Sequence, residues 1–113
     1  MPKKAIAADL KFRAFSDPTR LRILRLLQQG ELCVGNLVDV IRVPQPKASR
    51  HLAYLRRAGL VVVRREGQWS YYRLAAPRGA FHQKLLDCLN CCCSEIPELA
   101  RDAKRLKAVI CCG

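Results

Sequence analysis

Two prolines, Pro44 and Pro46, stand two residues apart between two amphipathic segments. They constrain the fold because proline stops one helix and is tolerated at the start of the next. In the stretch Pro44 to Leu60, Ala48, Leu52, Leu55 and Ala58 recur three and four apart, which is one face of a helix. A second face carries Lys47, Arg50, Tyr54 and Arg57 at the same spacing. Before the prolines, Glu31 to Arg42 reads as a short helix that buries Leu37, Val40 and Ile41. Helix, tight turn, helix is a helix-turn-helix, although a plain helical hairpin has the same pattern. A helix with one buried side and cations plus one aromatic on the other can lie in a major groove. The competing reading is a solvated basic helix.

The charge balance bears on that choice. Among 113 residues, Lys and Arg number 21 against 9 Asp and Glu, a formal net charge of +12. Such an excess implies a polyanionic partner, DNA or RNA first and an acidic membrane surface second. No run of about eighteen apolar residues is present, so no transmembrane span is expected. The first ten residues, MPKKAIAADL, lack the apolar run of a signal peptide. The expected location is cytoplasmic, where thiols stay reduced. The seven cysteines are therefore read as ligands, redox groups or packing rather than a disulfide framework.

The flanks fit a reader of DNA. Residues 4–15 favour a first helix, with Ala5, Ala8, Phe12 and Phe15 among its apolar positions. Asp17 is a good N-cap and Pro18 suits the first helical position, so a second helix starts there and meets Gly30 as a C-cap. After Gly59, LVVVRRE, the turn Gly67-Gln68 and WSYYRL predict a β-hairpin, placed as a wing beside the cationic helix. Trp69 is expected to pack. Pro77 opens a fifth helix to about Cys92, with Phe81, Leu85, Cys88, Leu89 and Cys92 as an apolar stripe suited to pairing with its copy. A tail helix follows from Pro97 to Ile110, with Leu99, Ala103, Leu106 and Ile110 on one face. The expected fold is mainly α with a β-hairpin wing (α+β), a dimeric winged helix-turn-helix. Residues 1–93 form the DNA-binding and dimerisation domain and 94–113 a tail helix with a terminal cysteine pair.

For a double-stranded DNA partner, Gln45, Lys47 and Arg50 are the candidates for base edges, since lysine and arginine pair with guanine and glutamine with adenine. Ser49, Arg56, Arg57, Arg64 and Arg65 are read as phosphate contacts, with Gln68 at the wing tip. Tyr54 lies on the cationic face. His51 is either a DNA contact or a hydrogen-bonded, partly buried imidazole. The sequence carries no nucleophile–base pattern, phosphate loop or paired carboxylates, so an enzyme is not expected.

Several segments together resemble the ArsR/SmtB metalloregulators. They are Ser16-Asp17-Pro18-Thr19-Arg20-Leu21-Arg22-Ile23-Leu24, Glu31-Leu32-Cys33-Val34, Gln45 through Arg56, Gly59-Leu60, and the wing up to Tyr72-Arg73-Leu74. The likeness runs over roughly residues 10–75. It implies a homodimeric repressor that leaves its operator when a toxic metal ion or metalloid binds. The Glu-Leu-Cys-Val and Gln-Pro-Lys-Ala-Ser-Arg-His-Leu segments look most like the arsenite-responsive branch. There the third helix usually begins Glu-Leu-Cys-Val-Cys-Asp. Here Gly35 and Asn36 replace the second cysteine and the acid, and Val38 stands where a further cysteine can occur. A lone Cys33 cannot supply three thiolates and is read as a small packed residue.

Thiols return at Cys88, Cys91, Cys92 and Cys93, four within six residues. Soft thiolates select soft ions, and one helical turn separates Cys88 from Cys91 and Cys92. Cys91 and Cys92 resemble an adjacent pair found at the end of this helix in some arsenic-responsive relatives. The predicted site is these four cysteines, with As(III) or Sb(III) as effector and no obligatory cofactor. Cadmium, lead, zinc or thiol oxidation are the alternatives, as is a thiol-rich metal-handling protein without specific DNA binding. Cys111 and Cys112 reach the cluster only if the tail bends, unwinds or comes from a partner. No membrane and no small organic substrate are expected.

Overall fold

The computed structural model describes the backbone of residues 8–91 and 95–112 and the side chains of 8–91 and 95–109. Its elements are α1 (Ala8–Ala14), α2 (Pro18–Leu27), β1 (Leu32–Cys33), α3 (Val34–Ile41), α4 (Gln45–Arg57), β2 (Val61–Glu66), β3 (Trp69–Leu74), α5 (Ala80–Cys91) and α6 (Pro97–Cys112). Residues 4–7 of the predicted first helix lie outside the described residues. The start of α2 follows its sequence signals. Asp17 is extended, its Oδ2 accepts the Arg20 amide at 3.1 Å, and Pro18 needs no N–H at the first position.

The helix-turn-helix is α3, the turn at 42–44, and α4. The third helix does not begin at Glu31. Leu32 and Cys33 form β1 and pair antiparallel with β3, Leu32 opposite Tyr72 and Cys33 opposite Tyr71. The wing is therefore a three-stranded sheet in the order β1-β3-β2. Gly30, at φ +139°, turns the chain into β1, and the C-cap of α2 is Gln28. The fifth helix begins at Ala80 rather than Pro77. The Gly79 carbonyl accepts the Gln83 amide at 3.0 Å, and the Arg78 amide donates to His82 Nδ1 at 3.4 Å.

The core is apolar and shared. Ile23, Leu24 and Leu26 of α2 meet Leu37 and Val40 of α3, Leu52 and Leu55 of α4, and Leu89 and Leu106 of the last two helices. The inner face of α5 shares Leu89 with the stripe expected to pair with a second copy. Buried are His82, Leu86 and Leu89, while Cys88 is exposed and Cys92 lies outside the described residues. The face is fixed by α2, whose Gln28 Nε2 donates to the Leu86 carbonyl at 3.0 Å. Phe81 and Leu85 are half-buried, and the Phe81 ring meets Phe12 edge-on at 5.3 Å. Trp69 is 56% exposed rather than packed, because it pairs with Glu66 at the hairpin end, beyond the core. In α6, Leu99 and Leu106 are buried as their spacing predicts, and the helix packs across α2 and α3. Among the described residues no helix is long and apolar enough to cross a membrane.

Candidate nucleic-acid interface and thiol site

Both ends of α4 are fixed by backbone chemistry. The Pro44 carbonyl accepts the amides of Lys47 and Ala48, each at 3.0 Å. Pro46 sits in the first turn, where its missing N–H has no intrahelical role. At the far end Gly59 takes φ +79°, its amide bonds the Arg56 carbonyl, and the Leu60 amide bonds the Leu55 carbonyl, each at 3.0 Å. This is a Schellman ending, which needs a left-handed residue after the cap. From α1, Lys11 Nζ donates to the Ala58 carbonyl at 2.7 Å and adds a cation where the helix dipole is negative.

So anchored, α4 buries Ala48, Leu52 and Leu55. Gln45, Lys47, Ser49, Arg50, Arg56 and Arg57 are all exposed. Among the described residues no carboxylate lies within ion-pair distance of Lys47, Arg50, Arg56 or Arg57. Four cations on one helix thus keep their donors for an external anion.

His51 and Tyr54 sit further in. His51 is half-buried, with Nδ1 at 3.3 Å from Arg20 Nη1 and 3.9 Å from Asp17 Oδ2. Burial lowers its pKa below the ordinary 6.5; Arg20, Lys47 and Arg50 add to that effect and Asp17 opposes it. The imidazole is therefore neutral at pH 7. Nδ1 faces a permanent donor, which assigns the proton to Nε2. The Tyr54 ring meets two guanidinium groups, Arg20 at 4.2 Å and Arg57 at 5.3 Å from its centroid. Both residues brace α4 against α2.

On the wing, Arg64 is already engaged. It bonds Glu31 at 2.8 and 3.1 Å and Glu66 at 2.6 Å, and it stacks over Tyr71 at 4.6 Å. The bonds to Glu31 and Glu66 raise its pKa, and the same contact lowers that of Glu31. Arg65 is exposed, with a 3.3 Å bond to Ser70, and Gln68 is exposed beside Gly67, whose φ is +63°. The sequence reading did not single out Arg42 or Arg20. Arg42 is exposed in the turn at φ +64°, and its place just before Val43-Pro44 was the available signal. Arg20 meets His51 thirty-one residues away, which no local pattern reveals.

The described thiols are Cys33, Cys88 and Cys91, all free. Cys88 and Cys91 are exposed and one turn apart near the end of α5, where Cβ atoms stand about 5–6 Å apart. That helix end is tied to α2 by Arg25 Nη1 donating to Asn90 Oδ1 at 2.6 Å. Cys92 and Cys93, and the side chains of Cys111 and Cys112, lie outside the described residues. Cys33 is half-buried at the N-cap of α3 and donates to Asn36 Oδ1 at 3.2 Å. Among the described residues no group of three or more His, Cys, Asp or Glu side chains is placed to hold a metal ion. The described part of the predicted site is thus two soft donors of four.

Residues 17–63 match the family model described as bacterial regulatory protein, arsR family. The chain is 44% identical over 88 residues to an HTH-type transcriptional regulator of Methanocaldococcus jannaschii, covering 77% of this chain and 98% of that one. Its fold is similar to a solution structure from Mycobacterium bovis, a homodimeric winged helix-turn-helix DNA-binding domain titled "a possible ArsR-family transcriptional regulator". The TM-score is 0.65 and the identity 33%, covering 87% of this chain and 91% of that chain. The chain belongs to the ArsR family. As in other ArsR-family regulators, the winged helix-turn-helix is the DNA-binding unit, and α4 is its second helix. The arsenical resistance operon repressor of Escherichia coli is 46% identical over 77 residues, covering 67% of this chain and 66% of the repressor.

Proposed function

We propose that this ArsR-family chain is a homodimeric transcriptional repressor, acting in the cytoplasm, that leaves its operator when As(III) or Sb(III) binds thiolates at the end of α5. The observation that carries the reading is the outward side of α4. Its exposed side chains include four cations without carboxylate partners among the described residues, on a helix held at both ends. Gln45, Lys47 and Arg50 read bases, and Ser49, Arg56, Arg57 and Arg65 hold phosphates with Gln68 at the wing. Arg64 joins them only by exchanging Glu31 and Glu66 for phosphate. His51 and Tyr54 contribute by fixing the pose of α4.

The sensing site comprises Cys88, Cys91, Cys92 and Cys93. In favour of it are two exposed thiols one turn apart, soft donors suited to a thiophilic ion, and the family name shared with arsenical-resistance repressors. Three sulfurs closing on one ion at a helix end tied to α2 would shift α5 against the helix-turn-helix. A coupling of about 3 kcal/mol lowers operator affinity about a hundredfold. The chain is a binding protein, not an enzyme, with no obligatory cofactor, membrane or organic substrate.

The test is an operator-binding titration of reduced protein against As(III), Sb(III), Cd(II), Pb(II), Zn(II) and peroxide. It is repeated on a Cys91→Ser, Cys92→Ser variant. The variant is expected to keep operator binding and lose arsenite release. Normal release of the variant by arsenite sinks the thiol site. Release of the parent by another ion or by peroxide alone, with arsenite inert, reassigns the effector.

A further inference from the structure

The turn of the helix-turn-helix holds a backbone conformation that the sequence does not favour. Arg42 caps α3 in the left-handed region, at φ +64° and ψ +45°. A non-glycine residue stays there only where its surroundings over-determine it. What surrounds this turn comes from α2 and from α6. Arg22 of α2 donates from Nη2 to the Ile41 carbonyl at 3.2 Å, and Arg105 of α6 donates from Nη1 to the Val40 carbonyl at 3.1 Å. These are two of the last carbonyls of α3, which lack helical partners.

The same Arg22 is gripped by α6. Its Nε and Nη2 bond the two carboxylate oxygens of Asp102 at 2.7 and 3.0 Å, a bidentate pair. Asp102 is 1% exposed and sits between Leu99 and Leu106, so the carboxylate faces inward on the apolar side of its helix. A buried carboxylate is held only by a partner that satisfies it. Arg22 gives both of its oxygens a charged donor, and the bond to Asp102 in turn raises the pKa of Arg22.

We infer that α6 is part of the DNA-reading unit: Asp102, through Arg22, and Arg105 are positioning residues that hold the Arg42 turn and thereby aim α4. This rests on reading α4 as the operator-facing helix. Neither Asp102 nor Arg105 touches DNA in this role. Removing them therefore weakens binding without removing a phosphate contact.

The variants are Asp102→Asn, which keeps the shape of the side chain, and Arg105→Gln, which removes one carbonyl cap from a partly exposed side chain. Each is measured for operator affinity across a salt series and for backbone deuterium uptake, with circular dichroism and sedimentation as checks of fold and assembly. The expected result is about a tenfold loss of affinity with the salt slope of the parent. Uptake should rise at residues 40–45 and stay level in β2 and β3. Unchanged affinity in a folded variant overturns the inference, as does uptake rising evenly over the whole chain. If Asp102→Asn does not fold, Arg105→Gln decides by the same criteria. A parent protein that ignores its operator would instead sink the DNA-reading role itself.

Discussion

His82 carries a cost that its position makes unavoidable. It is 2% exposed on the inner face of α5, and its Nε2 has no hydrogen-bond partner among the described residues. Nδ1 accepts the Arg78 amide, so the orphan atom carries the proton of a neutral ring. Burial lowers the His82 pKa, and Lys11 and then Arg78 lower it further. The sign of the linkage follows. Below the ordinary value of 6.5 the unfolded chain takes a proton that the folded chain refuses, so stability is full above that pH and falls on acidification. His51, also lowered, acts in the same direction. His82→Leu is expected to flatten the stability profile between about pH 7 and 5 by up to one proton, at most about 1.4 kcal/mol per pH unit. Urea unfolding across that range measures it. A variant with the full slope of the parent would clear His82 of the effect.

Within α4 the exposed cations divide by what they face. Arg50, near the middle, is a base reader in the proposed complex, and Arg50→Ala should cost about 1–3 kcal/mol and relax selectivity at one position. Arg56, near the end, should hold phosphate, so Arg56→Ala weakens all sequences alike and lowers the salt slope by about one. Binding to a cognate and a scrambled duplex over a salt series separates the two; a selective loss at Arg56 would reverse the assignment. These residues were legible because three-and-four spacing, two prolines and Gly59 all mark one helix. β1 was not, since a two-residue strand such as Leu32–Cys33 carries no periodicity and exists only by pairing with Tyr71 and Tyr72. On α5 the burial of His82 and Leu86 was not legible, since it depends on packing against α2. Asp102 looks like a solvated residue until Arg22, eighty positions earlier, is seen beside it.

The proposed homodimer would need a surface that one chain leaves uncovered. Phe12 of α1 is 57% exposed and meets Phe81 of α5 edge-on, with Leu85 one turn further along. Phe81, Leu85 and Cys88 follow one another at helical spacing, so the thiols continue the line of this apolar patch. In the proposed dimer the patch is the contact between copies, and an ion bound at Cys88 and Cys91 lies at its edge, where a small shift of α5 changes the spacing of two α4 helices. With a net charge of +12 per chain, two copies repel at long range, and apolar contact must outweigh that repulsion. Phe12→Glu with Phe81→Glu places carboxylates in the contact while leaving the leucine core alone. The variant is expected to keep its helical circular dichroism, to sediment as a monomer, and to bind a two-half-site operator about a hundredfold or more weaker, since the second contact is no longer intramolecular. Its salt slope should fall to about half, because half as many phosphates are neutralised in each binding event. A variant that still sediments as a dimer would place the contact elsewhere, and the thiols would then lose their leverage on it.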